Sequence, residues 1–484
     1  MKREERETMS SALAAPDYSG DLGDGLVRRW STAADLDKIA HCMATIFRGD
    51  AGEPLSPLHR IRMDLAFNTP FPLMGAGDCA VVEDTSRADR PIVATTSLWR
   101  QRWSYGGIPF DIGRPEYIGT LVEYRNRGLV RGLMEMLHAR SAARGDLVQA
   151  ITGIPYYYRQ FGYEYALDLY GIRRVYLADI PQAEAQQAEA QQAEAKPQDY
   201  RLRPAAIGDT ADLLALYNQR RAHSLVWCET DEAYWRYHVT ADDLPPIRSA
   251  DPVYCPLIDR PYMIVDRAGS TAGYVAAAPV RRGPALLIED VALYPHVNWA
   301  QVMPDLLREL AQLAARTPQR TAAGQGSEPA LELAFNLGRA HPLYDVLGAK
   351  LAARYEPPDG WYVRVADVPA FLKRVGPVLE ARLASSPLVG YTGDLKIDFY
   401  RGGLRLAFEQ GKLMRAEPWQ EALYGDECHA HFPPLIFLQL LLGYRSLDEL
   451  YAYFQDVWPK DEARLLLNTL FPKQPSWVPE MCII

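Results

Sequence analysis

A chain of 484 residues, 48% hydrophobic and 23% charged, is long enough to bury several cores and too apolar for a disordered protein. Its formal net charge of −9 argues against a general nucleic-acid binder, which carries a basic footprint, and suits a cationic substrate. Cys42, Cys79, Cys228, Cys255, Cys428 and Cys482 form no CxxC pair, so neither a disulfide framework nor a typical zinc site is expected.

Residues 1–25 open with MKREERE and continue in small and polar residues, which predicts a disordered tail with no signal peptide. A first ordered unit is expected over 26–180. LVRRWSTAADLDKIAHCMATIF reads as a strand, a Ser/Thr/Asp cap and a helix, with further strands at 78–83 and 91–99. Ile118, Thr120 and Val122 then alternate as a strand does, and Arg125 to Arg131 turn the chain into a helix. That helix carries Leu129, Leu133, Met136 and Leu137 on one face, leaves Arg131, Glu135, His138 and Arg140 for others, and stops at Gly145. A glycine-containing turn opening a helix points backbone N–H groups outward, where the helix dipole and nearby arginines favour a pyrophosphate.

With PYYYRQFGYEYAL about one strand later, this stretch resembles the GCN5-related N-acetyltransferase (GNAT) superfamily. The resemblance implies an α/β (α+β) fold with mixed sheets and acetyl-CoA as co-substrate. It assigns the pyrophosphate to Asn126, Arg127, Gly128, Leu129, Val130 and Arg131, and the pantetheine arm to Ile118, Gly119 and Thr120. Gly153, just after the next strand, joins the cofactor-binding set. Val130 departs from the commonest pattern, which has Gly or Ala there.

Gln182 to Ala195 repeat as QAEAQQAEAQQAEA, a low-complexity linker expected over 181–199. Beyond it, RLRPAAIGDTADLLALYNQRRA echoes VRRWSTAADLDKIAHCM, and the order of elements repeats, so a second, degenerate GNAT domain is expected over 200–374. HVNWAQV stands where the arginine-glycine turn stood, which predicts no CoA there. From 375 to 484, alternation at Leu395, Ile397, Phe399 and at Leu404, Leu406, Phe408 around Arg401-Gly402-Gly403 predicts a hairpin. Two apolar-faced helical stretches follow, FPPLIFLQLLLGYRSLDELYAYF and LLLNTLFP, and the whole resembles a sterol-carrier-protein-like domain. Three units in this order resemble the Eis (enhanced intracellular survival) type of N-acetyltransferase.

In that type a tyrosine three residues before the Phe of FGY is the general acid, which corresponds to Tyr158; a phenol can protonate a leaving thiolate within hydrogen-bond reach. The base there is the chain's own terminal carboxylate, here that of Ile484, although the chain ends in PEMCII rather than in an aromatic residue. Glu116, at the start of the cofactor strand, is the rival base. Cys428-His429-Ala430-His431 has no second ligand pair at zinc spacing, so a surface loop and no metal are expected. No GxSxG motif supports a hydrolase. The longest apolar run, Pro433 to Tyr444, falls short of the roughly 20 residues a membrane span needs.

The expectation is a cytoplasmic N-acetyltransferase with no nucleic-acid or membrane partner, transferring acetyl to an aminoglycoside-, polyamine- or lysine-type amine by direct attack in a ternary complex. By resemblance it is a homo-oligomer, the Eis type being hexameric. A non-catalytic acetyl-CoA sensor, or a protein binding a lipid or partner, is the alternative.

Overall fold

The computed structural model describes residues 3–49, 52–180, 198–251, 258–320, 327–352, 354–422 and 425–480. The repeat at 182–195 and the terminal Ile484 lie outside them.

The first residues are not the disordered tail expected. Helix α1 (Arg3–Ala14) lies on the later helix α4, and β1 (Ser19–Gly23) pairs antiparallel with β2 (Leu26–Trp30). Leu13 is buried, its carbonyl accepts from Trp30 Nε1 at 2.9 Å, and Arg140 donates to the Ala14 carbonyl at 3.1 Å. Tertiary partners, one of them 126 residues away, are absent from any local pattern and supply the order. They also bury Arg140, which the helical spacing had placed on another face.

The chain continues through α2 (Leu36–Ile46), α3 (Leu58–Asn68), β3 (Cys79–Asp84), β4 (Ile92–Tyr105), β5 (Ile108–Thr120), α4 (Leu129–Ala143), β6 (Val148–Ile151), β7 (Glu164–Leu169) and β8 (Ile172–Tyr176). After the repeat come β9 (Tyr200–Pro204), α5 (Thr210–Arg220), β10 (Val226–Glu229), α6 (Glu232–Val239), β11 (Arg260–Asp266), β12 (Thr271–Ala277), β13 (Ala285–Leu293), α7 (Trp299–Arg316), β14 (Glu332–Asn336), α8 (Pro342–Leu351), β15 (Arg354–Glu356) and β16 (Asp359–Arg364).

Both halves are built on one plan. In each, a strand, a helix and a parallel neighbour form a crossover: β5-α4-β6 in the first and β13-α7-β14 in the second. Each also opens alike. Arg29 grips Asp35 at 2.7 Å and Arg203 grips Asp209 at 2.7 Å, while each carboxylate accepts from a backbone N–H three residues earlier, Thr32 or Ala206. The same aspartate thus satisfies an orphan donor at a helix entry and an arginine on the opening strand.

The halves exchange strands. Among the described residues the first sheet runs β1-β2-β3-β4-β5-β6-β16-β7, with β10 on the far end of β4, so β16 and β10 enter it from the second half. The second runs β15-β8-β14-β13-β12-β11-β9, taking β8 from the first half. The units expected at 26–180 and 200–374 are therefore segments of chain whose sheets interlock. Trp361 of β16 packs edge-on against Trp103 of β4, ring centroids 5.6 Å apart, which commits the exchanged strand to the first core.

A third unit follows: α9 (Val368–Ala384), β17 (Gly393–Asp398), β18 (Gly403–Glu409), β19 (Lys412–Trp419), β20 (Ala430–His431), α10 (Pro434–Leu441), α11 (Leu447–Tyr453), β21 (Trp458–Pro459) and α12 (Asp461–Leu470). The expected hairpin is β17-β18 in a sheet ordered β19-β18-β17-β20-β21, and the FLQLLL stretch of α10 is buried, with the helix lying on β7 of the first sheet. The last described residues leave this unit and lie along β7: Asp168 N donates to the Ser476 carbonyl at 2.9 Å, and Val478 N to that of Asp168 at 3.1 Å. Among the described residues no helix is long and apolar enough to cross a membrane.

Candidate active site

Strands β5 and β6 pair only at Ile112↔Val148 and Gly113↔Gln149, and then part. β5 runs on as Arg114 to Thr120 against β4 alone, while β6 turns to β16. A bulge at Tyr117 (φ 54°) sets two residues of β5 against one of β4. The result is a wedge with one wall of strand backbone. Ile118 packs with Tyr158, Ile151 and Met134, and Thr120 Oγ1 is buried with no hydrogen-bond partner among the described residues. Gly119 has a steric reason to be glycine: a Cβ there would come 2.7 Å from Ile46 Cγ2 on α2.

Past the wedge the chain makes the expected turn. Asn126 (φ 62°) and Gly128 (φ 74°) are both left-handed, and Gly128 caps α4 with open space where a Cβ would sit. Asn126, Arg127 and Gly128 are exposed. Backbone that alternates its handedness before a helix turns successive N–H groups to one side, which makes an anion cradle. Arg127 ion-pairs with Asp24 at 2.7 Å, and Arg131 donates to Gln160 at 3.1 Å, so the two guanidinium groups flank the turn from opposite partners. Leu129 is buried under the helix start, and Val130 packs toward the Tyr158 cluster.

Tyr158 lies in a short 3-10 turn at the other side of the wedge, 5% exposed. Its ring meets Tyr157, Tyr163 and Tyr362 edge-on and rests against Gly153, whose φ of 134° only glycine adopts readily. Burial, with the charge of nearby Glu116, pushes the phenol well above its ordinary pKa, so it stays protonated.

Glu116 is not the solvated strand-end carboxylate its position allowed. Arg114, 1% exposed, donates to it at 2.6 Å and to Glu480 at 2.7 Å, and lies between the faces of Trp99 and Trp361. Burial raises the Glu116 carboxyl and the Arg114 charge works against that rise. Tyr170 donates a hydrogen bond to the other oxygen of Glu480, and Trp361 Nε1 donates to the Val478 carbonyl at 3.0 Å. Arg114→Leu is expected to cost about 3–5 kcal/mol, because it strands two largely buried carboxylates; urea unfolding compared with Arg114→Lys measures it.

Beyond Glu480 lies a cavity of only about 20 Å³ between the halves, lined by Tyr170, Asp259, Glu289, Asp290, Trp477 and Glu480. Glu289 stands where β13 and β14 part, the counterpart of the β5-β6 wedge, and accepts from Asn336 Nδ2 at 2.7 Å. Burial lifts it to about 7 against that hydrogen bond, with Glu480 adding to the rise, and burial with Glu289 lifts Asp259 well above the carboxylate range. Sequence reasoning missed Arg114, Tyr170, Asp259, Glu289 and Glu480. The available signal was the Arg-Pro-Glu spacing, which puts Arg114 and Glu116 on one face of the strand.

Residues 29–166 match the family model described as an acetyltransferase (GNAT) domain. No curated protein matches the chain in sequence. Among solved structures the chain is similar to a probable N-acyltransferase of unknown function from Enterococcus faecalis V583, with TM-score 0.62 at 12% identity, covering 94% of this chain and 100% of that one. It is similar also to a GCN5-related N-acetyltransferase from Anabaena variabilis, with TM-score 0.61 at 14% identity and coverage of 94% and 100%. Eis1 from Mycobacterium abscessus aligns with TM-score 0.53 at 14% identity, over 94% of this chain and 100% of that one. At these identities the likeness is one of fold.

Proposed function

With residues 29–166 an acetyltransferase domain of the GNAT family, we propose that the chain transfers acetyl from acetyl-CoA to a primary amine by direct attack in a ternary complex. The observation that carries this reading is the wedge between β5 and β6, with the left-handed turn at one end and a protonated, buried tyrosine at the other. The pyrophosphate rests on the 126–131 turn and the pantetheine extends beside Ile118, Gly119 and Thr120, whose unpartnered hydroxyl is suited to an amide of that arm. Gly153 leaves room for the thioester beside Tyr158.

The neutral amine attacks the thioester carbonyl, the C–N bond forms, and a carboxylate accepts the proton lost by nitrogen. As the C–S bond breaks, Tyr158 protonates the thiolate. Two carboxylates compete for the base. Glu116 is shared with Arg114, and the terminal carboxylate of Ile484 follows four residues after Glu480, which Arg114 and Tyr170 hold beside Glu116. Appending residues after Ile484 is expected to lower turnover more than Glu116→Gln does if the terminus is the base; the reverse order assigns the proton to Glu116.

The acceptor is a cationic amine of the polyamine, aminoglycoside or lysine type, which the acidic balance of the chain and the Eis-type resemblance favour. The second half acts as its wall without a CoA of its own, since Asn298 caps α7 with its side chain at 2.9 Å from Ala300 N, where a phosphate would have to lie. The third unit, sterol-carrier-like by resemblance, brings the tail to the first cleft. Calorimetry with acetyl-CoA, followed by free-thiol release against polyamines, aminoglycosides and lysine peptides, tests the reading. Binding with release supports it, binding without release of thiol to any amine leaves the sensor reading, and no binding overturns both.

A further inference from the structure

The third unit carries a group of chemistry-bearing side chains that the acetyl transfer does not use. Cys428 and His431 flank β20, the short strand that joins β17 in parallel at Ile397↔Ala430 and Asp398↔His431. The Cys-His-Ala-His segment has no second pair of ligands in sequence, and the fold provides a third donor from elsewhere. Glu421, on the segment leaving β19, folds back so that a carboxylate oxygen accepts from the backbone N–H groups of Glu427 and Cys428 at 2.8 and 2.9 Å. One ligand atom each from Glu421, Cys428 and His431 then lies within 4.8 Å of the others. In a tetrahedral zinc site, bonds of about 2.0 Å to N or O and about 2.3 Å to S set ligand atoms roughly 3.3–3.6 Å apart, so closure asks for about an ångström of movement.

Two features outside the three donors fit the same purpose. His431 Nδ1 lies 3.0 Å from Asp398 Oδ2, which fixes the ring and its tautomer and leaves Nε2 with no partner among the described residues. A carboxylate on the far nitrogen is the arrangement that orients and enriches a metal-ligating imidazole. Tyr400 stacks on the same ring, with centroids 5.8 Å apart, and restrains its rotation. The cations nearest the site are already engaged: Lys396 with Glu427, and Lys460 with Asp426 at 2.6 Å. Cys428 is 2% exposed and its Sγ lies 2.9 Å from the Ala430 carbonyl and 4.0 Å from that of Lys396, so the thiol proton is held by backbone carbonyls and a metal would replace that proton.

We propose that Glu421, Cys428 and His431, with Asp398 as the positioning carboxylate, form a zinc site that binds the β19-β20 segment to the sheet of the third unit. One thiolate, one imidazole and one carboxylate are a donor set that zinc accepts, and His431, a third exposed, leaves a fourth position for water. Binding displaces the Cys428 proton.

The test is titration of chelator-treated full-length protein with zinc chloride by calorimetry, and with cobalt(II) by absorption spectroscopy. One ion per chain is expected, with a thiolate-to-cobalt charge-transfer band. Cys428→Ser should remove that band, and Asp398→Asn, which keeps all three donors, should weaken zinc about 10- to 100-fold. Acetyl-CoA affinity, set on another sheet, should not change in either variant and serves as the check of folding. Absence of saturable zinc uptake by the wild-type chain, or of the cobalt charge-transfer band, overturns the proposal. So does a band of unchanged intensity in Cys428→Ser, which would place the thiolate elsewhere.

Discussion

Tyr158→Phe is expected to lower kcat about 10²- to 10³-fold and to leave acetyl-CoA affinity within about twofold. The substitution removes one oxygen and nothing else. The ring keeps its edge contacts with Tyr157, Tyr163 and Tyr362 and its place against Gly153, and the hydroxyl makes no hydrogen bond within the described residues that folding would lose. What disappears is a proton donor facing the wedge. Burial and the neighbouring Glu116 hold the phenol protonated well beyond the working range, so the acid is present at every pH where the amine reacts. Its ionisation therefore contributes no falling limb to kcat at mildly alkaline pH, and the rise on the acidic side reports the base and the amine. Steady-state thiol release paired with calorimetry separates the cases. Turnover that survives the change would make Tyr158 a packing residue, and a weakened CoA affinity at constant kcat would place it against the cofactor instead of the leaving sulfur.

Reading the sequence succeeded where structure is local. The turn at Asn126 and Gly128, the helix from Leu129, and the hairpin at Arg401-Gly402-Gly403 all follow from spacing and from glycine, and each stands where the spacing put it. The duplicated plan was legible for the same reason: Arg29 with Asp35 and Arg203 with Asp209 are six residues apart in each copy, close enough to read as one motif. Contacts made over hundreds of residues left no such mark. Arg114 meets Glu480 across 366 positions and Tyr170 meets it across 310, so neither the strand nor the tail announces the pairing. The strand exchange is equally silent, since β8 and β16 alternate well enough to serve either sheet. Glu116 shows how this matters for function: by itself it reads as a solvated base, while with Arg114 beside it, buried, it is a shared carboxylate whose proton affinity depends on the tail.

Gly128→Asp is expected to weaken acetyl-CoA about 10- to 100-fold relative to Gly128→Asn, and the comparison isolates charge. Both side chains tolerate the left-handed backbone better than other residues, so the φ of 74° penalises them alike. Neither meets an obstacle, since no atom lies within 4 Å of a Cβ at this position. Asn and Asp are nearly the same size, and they differ at the cradle by one negative charge. A carboxylate roughly 5 Å from a phosphate charge is opposed by about 3 kcal/mol at an effective dielectric constant near 20. The turn is exposed, so solvent reduces that to roughly half, or about a factor of ten, for each phosphate charge. Two such charges on a pyrophosphate set the upper figure. Because the effect is electrostatic, the gap between the variants should narrow as salt is raised from low to physiological ionic strength, whereas a gap caused by backbone distortion would not move. Equal affinity in the two variants at low salt would remove the pyrophosphate from this turn, and with it the orientation of acetyl-CoA on which the role of Tyr158 depends.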